Sequence, residues 1–295
     1  MKKQFKIMLS LLILATIVFS DFYMTHSRFI ANSNVFVKND FEITQHEHPE
    51  KVWDKVFFGN SVVISSFIED ESKSGYINCG LDYGVVTDLW EMIKKGHINI
   101  GSELVIGLNY LTLYDDFDTN PTYIWHKKPY QPYAYFERDR FYPLITNGFN
   151  NLLNVKSPMP MTYTYQEKAV YHGRISDAEL ENKMAEYETE FFNKPLDSYS
   201  ENLNALESVI EYCQKNNIKI RAVYMPWNPM FEKPQLINDV QKKADEIFAS
   251  YGVEVLNLED EFSKEMFYDT GHLNYDVGAP EFTRLIDNWL KKGDY

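Results

Sequence analysis

Cysteine is scarce: Cys79 and Cys213 are the only two in 295 residues, and they stand far apart. That count excludes a disulfide framework and a multi-cysteine zinc site, so both read as small buried apolar residues. Positive charge is also in short supply. Lys and Arg number 29 against 43 Asp and Glu, a formal net charge of −14. A general nucleic-acid surface is therefore not expected, and an anionic polymer would need a local basic patch. Internal repeats and low-complexity runs are missing too. What is present is an apolar fraction of 44%, ordinary for a globular chain with a real core.

The first residues pair a basic leader, Met1 to Lys6, with an apolar run from Ile7 to Met24. A cleaved signal peptide and an uncleaved anchor both fit that pattern. No small-x-small cleavage site follows the run, the nearest residues being Phe19-Ser20-Asp21. The expectation is therefore an amino-terminal transmembrane helix over 1–24, with the bulk of the chain outside the cytoplasm because the lysines precede the run. Residues 25–54 read as a polar linker. The triplet His46-Glu47-His48 within it reads as solvated, since neighbouring loop residues rarely share one metal ion.

From residue 55 onward, short apolar runs alternate with helical patterns. Val56-Phe57-Phe58, Tyr76-Ile77-Asn78, Leu104-Val105-Ile106, Ile218–Tyr224 and Val253–Leu258 read as strands. Val85–Lys95, Glu201–Lys215 and Leu236–Ser250 carry helical spacing between them, as in Leu203, Leu206, Ile210 and Cys213. Strands alternating with helices predict a three-layer α/β/α sandwich around a parallel sheet, with functional groups gathered where the strands end. The stretch of about 114–199 breaks the rhythm with aromatics, including Trp125, Tyr130, Tyr133, Tyr135, Phe136, Phe141, Tyr142, Tyr163, Tyr165 and Tyr171. It reads as a long insertion into one domain, either a sugar-binding groove or lid, or simply packing onto the sheet.

Chemistry concentrates at those strand ends. In Phe57-Phe58-Gly59-Asn60-Ser61 a serine hydroxyl follows a strand directly. Asn78-Cys79-Gly80 places an unshielded glycine amide at the next end, and Gly107-Leu108-Asn109 places a side-chain amide at the third. If the three ends are neighbours, the Ser61 amide, the Gly80 amide and the Asn109 side chain converge as an oxyanion hole. A serine needs a base to become a nucleophile, and Asp269-Thr270-Gly271-His272-Leu273-Asn274 supplies one in His272. Asp269, three residues earlier, is placed to hold that imidazole in the right tautomer. Taken one at a time, each of these residues has an ordinary reading as a turn, a cap or a surface group. Their joint order favours a catalytic site. His97, His126 and His172 have no such context and read as structural.

In chain order, FFGNSVV, YINCGLDYG, VIGLNYL, AVYMP and DTGHLN resemble the blocks of the SGNH, or GDSL, hydrolases over residues 56–292. The resemblance implies a three-layer α/β/α fold, Ser61 as nucleophile, Gly80 and Asn109 in the oxyanion hole, and His272 with Asp269 as base and orienter. Two positions depart from that pattern: Asn60 stands where an acid usually precedes the serine, and Tyr110 where Asp usually follows the asparagine. These departures, the amino-terminal run and the Gly278, Ala279, Phe282, Thr283 pattern are more similar to membrane-tethered SGNH-like proteins of bacterial envelope polymer acylation. The resemblance therefore implies O-acyl transfer to an envelope polysaccharide or teichoic-acid-like polymer, with a membrane-bound O-acyltransferase as partner. A carbohydrate acetyl-esterase using the same triad and a non-catalytic glycan-binding protein are the competing readings. No metal or organic cofactor is implied.

Overall fold

The computed structural model describes residues 2–26, 39–120, 122–126 and 168–292. The chain divides into two compact units, Met1–Pro49 with Pro121–Glu167, and Glu50–Asn120 with Lys168–Tyr295.

The first unit holds helices α1 (Lys2–His26) and α2 (Asp40–Glu47). Among the described residues no helix is long and apolar enough to cross a membrane, which corrects the expected amino-terminal transmembrane helix. Only residues 7–20 separate Lys6 from Asp21, about 21 Å of helix at 1.5 Å per residue, where a hydrocarbon core is roughly 30 Å thick. The stretch read as a linker contains α2, started by Asn39, whose side-chain oxygen accepts the Glu42 N–H at 3.0 Å. Phe41 packs edge-on against Trp125 at 5.0 Å, Trp125 stacks on Tyr123 at 4.6 Å, and the Tyr123 hydroxyl donates to Asp40 at 2.8 Å. Trp125 of the expected insertion therefore belongs to this small core. Tyr130, Tyr133, Tyr135, Phe136, Phe141, Tyr142, Tyr163 and Tyr165 lie outside the described residues.

The second unit is built on five parallel strands: β1 (Trp53–Gly59), β2 (Ile77–Gly80), β3 (Ile100–Leu108), β4 (Lys219–Tyr224) and β5 (Glu254–Asn257). Their order across the sheet is β2-β1-β3-β4-β5. Val56, Phe57, Phe58, Leu104, Val105 and Ile106 are all fully buried, as strands covered on both faces must be, and this is why they read as unbroken apolar runs.

One face packs helices α3 (Ser61–Ser66) and α8 (Gly278–Lys292). Phe57, Val105 and Val223 from the sheet meet Val62, Val63, Phe282, Ile286 and Leu290 there. Each fully buried side chain of that size is worth about 1.5–3 kcal/mol relative to exposure. The other face carries α4 (Val86–Lys94), α6 (Ser200–Lys215) and α7 (Gln235–Tyr251), with α6 packed against both of its neighbours. Ala205, Leu206, Val209, Ile210 and Cys213 of α6 are buried at the 3.6-residue spacing that predicted the helix. Both cysteines are buried, and burial pushes the Cys213 thiol up to about 12. Within residues 168–199 lies a further helix, α5 (Asp177–Tyr187), started by a Ser176–Glu179 capping box and continued by a π-turn over Glu188–Phe192. The order β2-β1-β3 places a topological switch between β1 and β3, where the chain leaves in opposite directions and opens a crevice at the strands' carboxyl ends.

Candidate active site

At the switch point the sequence turns from strand to helix within two residues. Gly59 closes β1, and a Cβ there would stand 2.3 Å from the Val63 side chain. Only glycine lets α3 start so close behind the strand. Asn60 then caps α3, its side-chain oxygen accepting the Val62 N–H at 3.0 Å. Ser61 is the first residue of the helix, at the open end of β1.

The Asp269–His272 loop reaches this point because it is pinched at its base. Phe267 and Leu273 form an antiparallel bridge, and the Tyr268 N–H donates to the His272 carbonyl at 2.8 Å. Inside the loop, Asp269 Oδ1 accepts the backbone N–H of Gly271 at 3.1 Å and of His272 at 2.9 Å, the local turn that Asp favours. Beyond it Asn274 caps α8 by accepting from Val277 and Gly278. Asn228 holds the loop from below, donating to the Asp269 carbonyl at 2.9 Å.

The result is a linear relay. His272 Nε2 lies 2.9 Å from Ser61 Oγ, and His272 Nδ1 lies 2.9 and 3.1 Å from the two Asp269 oxygens. The Asp269 side chain is 2% exposed and that of His272 16%. Burial by itself raises the Asp269 carboxyl, but the hydrogen bonds from the His272 ring, the Lys183 ammonium and the His272 N–H outweigh it. They hold the carboxyl well below the usual carboxylate range. An ionised carboxylate can only accept, so Nδ1 carries the proton and Nε2 offers its lone pair to the Ser61 hydroxyl.

Asn109, just beyond β3, faces the same cavity. Its Oδ1 accepts from Asn60 Nδ2 at 3.0 Å, from the Thr112 N–H at 2.9 Å and from the Thr112 hydroxyl at 2.8 Å. Three donors on one oxygen fix the amide's orientation and leave Nδ2 as its free donor. Asn60, read from sequence as outside the catalytic roles, therefore both caps α3 and orients Asn109. The residue after Asn109, Tyr110, is buried against Phe192 at 5.4 Å and Trp227 at 6.1 Å, and burial pushes its phenol well above the ordinary value. It forms wall rather than machinery.

Gly80 is placed differently from the expectation. Its N–H donates to Asn78 Oδ1 at 3.0 Å, and a Cβ on it would stand 2.5 Å from Ile64 Cγ1. The glycine serves a close approach between β2 and α3. Asp82 and Tyr83, not Gly80, line the cavity at this edge. The structure thus brings Ser61, His272, Asp269 and Asn109 together and leaves Gly80 outside.

Two neighbours were not placed at the site by the sequence: Lys183 gave no signal, and Tyr171 was read only as one aromatic of the insertion. Lys183 of α5 donates to Asp269 Oδ2 at 2.8 Å from 86 positions away. Tyr171 lies across the His272 ring with centroids 4.6 Å apart and stacks on Tyr268 at 4.8 Å. Desolvation, helped by the Asp269 charge, pushes the Tyr171 phenol up to about 12. The cavity has a volume of about 320 Å³, with Tyr110, Tyr171, Tyr187 and Trp227 among its walls.

No family model matches the sequence, and no curated protein matches it. Among solved structures, a candidate acylhydrolase from Bacteroides fragilis is 14% identical with a TM-score of 0.43, covering 91% of this chain and 97% of its own. A candidate lipolytic protein of the G-D-S-L family from Desulfitobacterium hafniense is 9% identical with a TM-score of 0.40, covering 79% and 98%. A candidate GDSL-like lipase from Parabacteroides merdae is 11% identical with a TM-score of 0.31, covering 81% and 96%. Likenesses this weak assign neither family nor activity.

Proposed function

We propose that this chain is an SGNH-type serine enzyme that cleaves an acyl ester through an acyl-Ser61 intermediate. The finer reading is transfer of that acyl group to a hydroxyl of a cell-envelope polysaccharide. The observation that carries the proposal is the Ser61–His272–Asp269 relay at hydrogen-bond distances. Ser61 Oγ passes its proton to His272 Nε2 and bonds to the acyl carbon. The Asn109 amide and the Ser61 N–H stabilise the negative oxygen that develops. When this intermediate collapses, the ester's C–O bond breaks and His272 returns the proton to the leaving oxygen. An incoming hydroxyl then gives its proton to His272, attacks the acyl-serine and restores the Ser61 hydroxyl.

Transfer to a sugar hydroxyl is supported by the aromatic walls, which suit the C–H faces of a pyranose. Hydrolysis, with water as acceptor, is the second reading and is supported by the partial exposure of the His272 side chain. Under the transfer reading the acyl donor comes from a membrane-bound O-acyltransferase. Incubating the protein with a ¹⁴C-acetyl ester and an oligosaccharide separates the two: label on the sugar supports transfer, and label released only as acetate supports the esterase. Ser61→Ala should abolish both products. Undiminished turnover in that variant contradicts the proposal.

A further inference from the structure

Beside the nucleophile's cavity lies a second, of about 460 Å³, and Tyr83, Leu111, Phe117 and Tyr187 belong to the walls of both. The two spaces are therefore neighbours that share these four residues, three of them aromatic. Tyr83 meets Phe117 at 5.5 Å, Phe117 meets Phe191 at 6.0 Å, and Phe191 in turn meets Tyr187 and Tyr114 at 5.5 and 5.8 Å. Every residue of this wall lies outside the relay of Ser61, His272 and Asp269.

Tyr83 is the most exposed ring of this wall. It sits third in the turn Leu81–Gly84, closed by the Gly84 N–H donating to Leu81 at 3.0 Å. Its φ is +57°, in the left-handed region that disfavours any residue with a Cβ. Even so the residue is 51% exposed. A left-handed backbone that keeps a large aromatic half exposed at a cavity wall is the kind of local strain found at ligand sites.

The rim of the second cavity sets which ligand. Asp116, Asp118 and Glu190 line it with a single cation, Lys194, which lies over the Tyr114 ring at 6.0 Å. None of the three carboxylates makes an ion pair among the described residues. Carboxylates accept hydrogen bonds from hydroxyl and ammonium groups and repel phosphates and uronates. An alkyl chain would strip their water without replacing it.

We infer that this second cavity is a subsite for a sugar unit bearing no negative charge, neutral or amino-substituted, in the polymer whose acyl group Ser61 handles. The inference rests on the proposed function for the word acyl, but binding itself needs no nucleophile. Aromatic faces take the C–H side of the ring, and the rim carboxylates accept from its hydroxyl or ammonium groups.

The test is calorimetric titration of the full chain carrying Ser61→Ala with three tetrasaccharides: N-acetylchitotetraose, its deacetylated amine form, and tetragalacturonate. The first two should bind, with tetragalacturonate at least tenfold weaker. Phe117→Ala should weaken binding roughly tenfold, the scale of one aromatic stacking contact. The surface pair Asp116→Lys with Asp118→Lys, whose fold circular dichroism checks, should invert the order of amine and uronate. The inference is overturned by equal binding of tetragalacturonate to the parent, by no response to either set of substitutions, by displacement of the sugars by a fatty-acid probe, or by no sugar binding at all. If Ser61 reacts normally but no sugar binds, the subsite falls and the proposed function stands. If sugars bind as expected but Ser61 is inert, the reverse holds.

Discussion

Replacing Lys183 with methionine removes the positive charge beside Asp269 without touching Ser61 or His272. The Lys183 Nζ to Asp269 Oδ2 distance is 2.8 Å. Coulomb's law gives about 6 kcal/mol for such a pair at an effective dielectric of 20, and about 1.5 kcal/mol in bulk water. The Lys183 side chain is 41% exposed, so solvent screens it and the value lies toward the lower figure. Dehydration of Asp269 offsets part of the rest, and a net loss of about 1–2 kcal/mol on substitution is expected. The pH dependence is set by both partners. Asp269 has a depressed folded value, so its contribution is present above the unfolded value of about 3.9 and is lost as pH falls through the folded one. Desolvation opposes the Lys183 charge, but the Asp269 hydrogen bond and charge outweigh it and raise its value. Its contribution is therefore present below about 10.4 and is lost as pH rises past the folded value. Urea unfolding should thus show Lys183→Met less stable than the parent between about pH 4 and 10, with the two curves converging in stronger acid. Asp269 keeps its two backbone donors and the His272 ring, so kcat/KM on a chromogenic acetyl ester should fall by less than about tenfold. A stability deficit unchanged at pH 2, or a catalytic loss equal to that of Asp269→Ala, would refute this reasoning.

Asn109→Ala should lower kcat on the same ester by about 10² to 10³ with little change in KM, because its amide is needed as negative charge develops; steady-state kinetics checks this, and an unchanged kcat removes Asn109 from the site. Gly80→Ala pushes a methyl group to 2.7 Å from the Ile64 backbone nitrogen. It should cost roughly 1–3 kcal/mol of stability, read by thermal unfolding, while the KM of whatever protein remains folded stays the same. Asn60→Ala loses a cap worth about 1 kcal/mol and one of the three bonds on Asn109, so Tm and kcat should fall together.

The parts of this molecule that were legible in sequence are those fixed by local pattern. All five strands fall where apolar runs end in glycine, asparagine or proline, and α4, α6 and α7 fall where apolar residues recur at helical spacing. Ser61, Asn109, Asp269 and His272 were legible for the same reason, since each sits where a strand ends or a loop turns. Gly80 misled because the glycine alone does not tell where its N–H points. Asn78, two residues before it, folds back and takes that donor. Lys183 could not be read at all, because its partner is 86 positions away and a lysine on a polar helix face looks solvated. The amino-terminal run misled through length: its apolar residues are there, but the charges at Lys6 and Asp21 stand too close for a span.

The central claim is that Ser61 is an activated nucleophile. Intact-mass analysis of the full chain after treatment with a fluorophosphonate tests it most directly. The account predicts one adduct, mapped to Ser61 and lost in His272→Ala. No adduct under conditions that label a control serine esterase, or an adduct that persists without His272, would contradict it.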